Sequence, residues 1–366
     1  MEKDIITKRD YRFVTFWAAG ILVLFALAGY WGVRQLHAYK IQTIERRQAW
    51  LEQASGAGRG QESAAIAQKG NPVEVRVGLY VTHIGEFSIK EDSWIANFDI
   101  WFRWSGKTVS PGETFWLVNG EVQSREKRES YVVGGEQYER YHVKARISNY
   151  FDPDRFPFAD EPLTIEIEDT IHSMEALRFV ADTQDSGLSA TAILRELKIA
   201  QSLLTVRAQD YRSRFGDPRR SESKRRIHSQ VVFAILLNHP GGMFHLKMFH
   251  ALFVATAIAV LAFFIKPTHV DPRFGLPVGA AFTAVANIIA TGALLPRAEG
   301  FVLADMVNSV GFVTIFLTLV QSAISLYFYD TLGREKLSRF FDHVSFAVFF
   351  CGYVAVNLAL PLAARS

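Results

Sequence analysis

Apolar and polar positions divide this chain into segments of two kinds. Five stretches are almost continuously apolar: residues 13–33, 248–265, 276–295, 302–328 and 340–360. Each has roughly 18–27 residues, which at about 1.5 Å rise per residue crosses a hydrocarbon layer of about 30 Å. Between the first and second stretches the period changes to two. In "VEVRVGLYV", Val73, Val75, Val77, Leu79 and Val81 share one side. In "WIANFDIWFRW", Trp94, Ala96, Phe98, Ile100, Phe102 and Trp104 share one side, with Asn97, Asp99, Trp101 and Arg103 opposite. Such alternation marks strands buried on one face. The runs "TFWLV", "YERYHVKARI", "LTIEIE", "SLLTVRAQDYR" and "SQVVFAILL" follow at turn-punctuated spacing. Many short antiparallel strands in succession predict a β-sandwich.

The pattern therefore predicts an N-terminus and membrane anchor over residues 1–35, a linker over 36–72, a β-sandwich over 73–240 and a four-span domain over 241–366. From residue 33, "VRQLHAYKIQTIERRQAWLEQAS" has few helix breakers and extends the anchor as a helix into the linker. "GAGRGQES" then reads as a flexible tether. A content of 49% hydrophobic residues in 366 suits such a mixture of soluble and membrane parts. Short-loop charges orient it. Lys266, Arg273, Arg334, Lys336 and Arg339 lie in two connections on one side, against Arg297 on the other. By the positive-inside rule the basic connections are cytoplasmic, the β domain lies outside, and the N-terminus lies inside. A cleaved signal peptide is the rival for the first stretch. Its apolar core would be unusually long and no small-residue cleavage site follows, so a retained anchor is expected.

Other chemistry is excluded by what accompanies this pattern. A net charge of +3 is too small to suggest a nucleic-acid partner. The single cysteine, Cys351, forms no disulfide within a subunit. The histidines are scattered without metal-ligand spacing, and no nucleophile–base pair stands out. No enzyme activity, cofactor or metal is expected.

At "YFDPDRFPFADEPLTIEIE", the run Phe156-Pro157-Phe158 between a polar loop and an alternating strand resembles the signature loop of pentameric ligand-gated ion channels. Animal members close that loop with two cysteines; the matching positions here are Asn149 and Leu163, and bacterial members also lack the cysteines. "PRFGLPVGAAFTAV" is similar to the start of the family's pore-lining helix. "LLPRAEGFVLAD", with Leu295-Pro296 and Asp305, resembles the connection that follows it. "LSRFFDHVSFAVFF" is similar to the last helix of bacterial members. The resemblance covers residues 73–360. It implies an all-β immunoglobulin-like sandwich on a four-helix transmembrane bundle, with the anchor as an additional helix. It also implies a multi-pass homopentamer in a bacterial inner membrane, with the large domain periplasmic. Three features depart from the family: Asn238 stands where an arginine is usual, a proline is missing near His250, and the region after Gly106 is short.

Spacing puts Gly275, Gly279, Phe282, Ala286 and Ala290 on one helical face. Small residues permit tight contact in any bundle, and Phe282 would then fill a gap between helices. The resemblance instead turns this face toward a central axis, where five copies of Phe282 form a ring able to close a channel by dewetting. Asp271 stands at the mouth of the same helix, and five carboxylates there would favour cations. It also reads as a helix N-cap before Pro272. If the helix starts at Pro277, Asp271 belongs to a loop.

For the ligand, the resemblance points beneath the hairpin "YRSRFGDPRRSESKRRIHSQ", at an interface between subunits. Its basic residues favour an anion or an acidic surface, or form only a solvated loop. Tyr211 and Phe215 offer ring faces for a cation. Asp99, Trp101 and Arg103 match the facing surface. Glu166 and Glu168 share a strand face, either sensing protons or calcium or merely exposed. The Phe156-Pro157-Phe158 loop, Leu295-Pro296 and Asp305 would couple binding to the pore. The expected function is a ligand- or proton-gated, cation-conducting channel for inorganic ions, in which an unknown small molecule or protons act at periplasmic subunit interfaces to open a pore lined by the helix over residues 271–295. The alternative is a non-conducting membrane-anchored sensor or scaffold that retains the fold.

Overall fold

A computed structural model describes residues 6–54, 71–158, 162–190, 192, 198–211, 213, 226–238, 241–295 and 300–365. Two compact units are present. One contains the chain through Gln42, residues 152–158 and the chain from Gly241 onward; the other contains residues 43–151 and 162–238.

In the second unit the alternating segments become strands. Strand β1 (Val73–Ser88) buries Val75, Val77, Leu79 and Val81 completely. Strand β2 (Ser93–Ser105) does the same with Trp94, Ala96, Phe98, Ile100 and Phe102. Strands β1 and β2 are antiparallel, with Leu79 opposite Ile100. β3 (Phe115–Leu117), β4 (Gly120–Val133), β5 (Glu136–Ser148), β6 (Leu163–Asp169), β7 (Leu177–Ala181), β8 (Gly187–Leu188), β9 (Lys198–Tyr211) and β10 (Arg226–Asn238) follow. One sheet runs β4-β5-β2-β1-β7, with β8 also beside β1; the other runs β3-β6-β10-β9. Phe98, Phe102 and Val143 from the first sheet and Ile165, Ile167 and Phe233 from the second belong to one buried apolar cluster. Each such side chain stabilises the fold by about 1.5–3 kcal/mol relative to exposure.

Two features differ from the sequence expectation. The strands are not all antiparallel, because β1 pairs in parallel with β7 (Val73 opposite Leu177) and with β8. β7 follows β6, a strand of the other sheet, so the chain crosses over and arrives beside β1 running in the same direction. Strand β4 was absent from the apolar pattern altogether. It is exposed almost throughout and is defined by pairing to β5 in a long hairpin.

Asn149 joins the two sheets of this unit, bonding to β2 and to β6. Its side-chain carbonyl accepts from the Trp94 indole at 2.6 Å, and its amide donates to Thr164 Oγ1 at 2.7 Å. The loop base expected at Asn149 and Leu163 is thus closed by hydrogen bonds to Thr164, the neighbour of Leu163. Asn149→Ala is expected to cost about 2 kcal/mol, because it leaves the buried Trp94 indole N–H without its partner. The shift in denaturant midpoint of the full-length protein measures this.

In the other unit, five helices are long and apolar enough to cross a membrane, among the described residues. They are α1 (Lys8–Ala54), α2 (Gly241–Leu261), α3 (Val270–Leu294), α4 (Leu303–Leu326) and α5 (Glu335–Arg365). Helix α1 runs unbroken from what the sequence reads as anchor into the first part of the linker; the tether of residues 56–63 lies outside the described residues. At the start of α1, Asp10 accepts from the Thr7 N–H at 2.7 Å and from the Thr7 hydroxyl at 2.6 Å. Asp10 also pairs with Arg334 before α5. Along its length α1 packs through rings: Trp17 on Phe341, Phe25 on Phe349 and Trp31 on Phe301. Gly352 on α5 admits the Phe25 ring where any Cβ would collide with it.

Candidate functional site

Helix α3 begins at Val270, preceded by His269, and Pro277 lies inside it. Asp271 is therefore in the first helical turn, neither a helix cap nor part of a loop. Pro277 lacks the N–H that would bond to the Arg273 carbonyl, and it sits on the buried face.

The helix has two distinct sides. Arg273, Pro277, Ala280, Ala284, Asn287 and Thr291 are buried. Asp271, Gly275, Gly279, Phe282, Ala286 and Ala290 are all exposed. A side chain at Gly275 or Gly279 would meet nothing within 4 Å, and Phe282 is 74% exposed. The stripe thus points away from the remainder of its own chain, and Phe282 fills no gap between helices of that chain.

Polar groups hold the buried side in place. The Asn287 amide donates to Asn308 Oδ1 at 2.9 Å, and the Asn308 amide donates to Thr291 Oγ1 at 2.8 Å. Arg273, fully buried, forms a two-pronged ion pair with Asp342 on α5, at 2.7 and 3.0 Å. Gln321 on α4 donates to the same carboxylate at 2.8 Å. Arg273 therefore does not accompany Asp271 on the exposed side.

Residues 152–158 belong to this helical unit. Phe156 and Pro157 are buried, and Phe156 meets Phe244 edge-on with centroids 5.2 Å apart. Phe158 packs beside His245, and Gly241 lets Phe158 approach the start of α2. The Asp154 carbonyl accepts from the Leu303 N–H at 3.1 Å. The loop thus reaches the segment after α3 at Leu303, beyond buried Leu295. Pro296 lies outside the described residues. Asp305 accepts from the Val302 N–H at 3.3 Å and so helps to cap α4. Val302 has no side-chain acceptor to complete a reciprocal box.

The β unit contains a cavity of about 350 Å³ that brings Asp99, Trp101 and Arg103 together. Strand register supplies other walls: Tyr80 is opposite Asp99, Arg140 opposite Trp101 and Tyr138 opposite Arg103. Asp182 and Asp185 complete it. Trp101 forms the floor rather than projecting into solvent. It lies over Gly78, its register partner, and its indole donates to Asp182 at 3.1 Å. Arg103 pairs with the same carboxylate at 2.9 Å, and Asp99 contacts His142 at 2.8 Å. Burial raises the Tyr138 phenol above its ordinary value. Apolar alternation identified only the β2 residues; the others become neighbours through pairing, which it does not encode.

Tyr211 lies on the other sheet, where its hydroxyl donates to Glu168 at 2.9 Å. Phe215 and most of the basic hairpin lie outside the described residues. The Glu166–Glu168 face is not simply exposed: Glu168 is buried, whereas Glu166 pairs with Arg207 at 3.2 Å. The Gln230 amide also donates to Glu168, at 2.6 Å. Burial dominates these bonds and raises the Glu168 carboxyl above its ordinary value; it raises the Tyr211 phenol as well. A carboxyl with a raised folded value binds its proton more tightly in the folded state, so stability falls as pH rises through that value. Glu168→Gln is expected to remove this part of the decline. Melting curves of both proteins between about pH 4 and 8 should diverge as pH rises.

No group of His, Cys, Asp and Glu suited to a metal ion occurs among the described residues. No protein-family model matches the chain, and no curated protein matches it.

Proposed function

We propose that this chain is a subunit of a homopentameric ligand- or proton-gated ion channel in a bacterial inner membrane. In this reading an immunoglobulin-like sandwich faces the periplasm, and α2–α5 form the channel bundle with α1 as an added helix. The observation that carries the proposal is the two-sided character of α3. Arg273, Asn287 and Thr291 are buried within the chain, while the helix's glycine- and alanine-rich stripe, with Asp271 at its start, is left uncovered. Facing lipid, such a stripe would give up the apolar contact that larger side chains provide. Around a shared axis it leaves room for water, with Phe282 as the constriction and Asp271 favouring cations at the mouth. The cavity over Trp101 is the agonist site at the subunit boundary. Packing of residues 152–158 on α2 and against Leu303 supports a route from binding to gating.

The rival reading, a non-conducting sensor or scaffold, needs a free face on α1 for a partner. Val14, Ile21 and Phe25 are already buried, leaving exposed residues such as Phe16, Leu27 and Tyr30. Electron microscopy of the purified protein and recording in planar bilayers test the proposal together. Five copies with α3 innermost and unitary currents are expected. A stripe turned to lipid, or intact pentamers silent at every pH and ligand tried, overturns it.

A further inference from the structure

We infer that Asp342 is a positioning residue for ion selectivity: it holds Arg273 inside the helical unit and leaves Asp271 unopposed on the exposed side of α3. This inference rests on the proposed pore and names what sets its preference. Asp271 and Arg273 are the only charged residues of α3. At about 100° per residue they lie some 200° apart, on opposite sides of the helix. Asp271 is exposed and Arg273 is fully buried. Lys266 and His269 precede the first turn of the helix.

The burial is built rather than incidental. The Arg273 guanidinium places Nη1 and Nη2 on the two Asp342 oxygens, and Nη1 also donates to the Ile265 carbonyl at 2.6 Å. Gln321 fixes the carboxylate from α4. A guanidinium withdrawn from water in this way is held by its partner, and the two charges cancel inside the bundle. Without Asp342 the flexible arginine stem can carry its charge toward water, as long cationic side chains do near membrane boundaries. Five such cations would then oppose five Asp271 carboxylates.

Reversal potentials of the full-length protein in planar bilayers under a potassium chloride gradient test this. Wild type is expected to prefer the cation, and Asp271→Asn to lose that preference. Asp342→Asn should lower the cation-to-anion permeability ratio by about tenfold or more, as expected for a reversed local field. Arg273→Gln and the neutral pair Arg273→Gln/Asp342→Asn should keep the wild-type ratio. Should Asp342→Asn fail to assemble, the neutral pair still decides, because it leaves neither a buried guanidinium nor a buried carboxylate unpaired, and a changed ratio in it overturns the inference. A raised ratio in Arg273→Gln, or an unchanged ratio in a conducting Asp342→Asn pentamer, overturns this inference alone. A wild-type pentamer that never conducts overturns the pore and this inference with it.

Discussion

Phe282→Ala is expected to produce pentamers that conduct without agonist. Phe282 is 74% exposed within its own chain, so its ring is not needed to fill the bundle and its removal leaves no cavity there. On the channel reading its contribution lies in the closed state, where five rings make a passage too apolar to stay wet. Removing them widens the passage and shortens the dry section. A change of only about 1.4 kcal/mol in the closed–open balance multiplies the resting open fraction tenfold, and five substitutions act together. Agonist-free current per reconstituted pentamer is the measurement. Unchanged resting current with normal assembly would place the constriction elsewhere.

Gly78→Ala should have the largest effect in the β unit. Gly78 faces Trp101 across the β1–β2 ladder, and a Cβ there would lie 2.1 Å from the indole ring. The ring has little space to retreat, being 9% exposed and hydrogen-bonded to Asp182. Overpacking of this kind costs about 1–3 kcal/mol, and here it would also break the Trp101–Asp182 bond. A loss of about 3 kcal/mol is expected in urea unfolding of the full-length protein. On the channel reading, weakened agonist response should accompany it, since the displaced ring is the cavity floor. Full stability in the variant would mean that Trp101 has room the structure does not show.

These two positions also show what the sequence reveals and what it hides. Periodicity of apolar residues is local, and it gave the inward faces of β1 and β2 and the stripe on α3. Strand β4 escaped because "GEVQSREKRESYVV" has no buried face to alternate; its conformation comes from the β5 ladder. Arg273 escaped for another reason. An arginine two residues from an aspartate at a helix start reads as solvated, and its partner lies 69 residues away. The cavity around Trp101 was half legible: Asp99, Trp101 and Arg103 alternate along one strand, but Asp182 reaches them across 81 residues.

The pairing of Asp10 with Arg334 joins residues 324 positions apart. During synthesis at about 5–20 residues per second, α1 therefore emerges on the order of tens of seconds before its partner exists. Through that interval the rings of Trp17 and Phe25 have no α5 to rest against, and for most of it Trp31 lacks Phe301. Ribosome-bound chains that stop short of Arg334 should accordingly expose this helix to lipid or to insertion chaperones, and chains released beyond α5 should not.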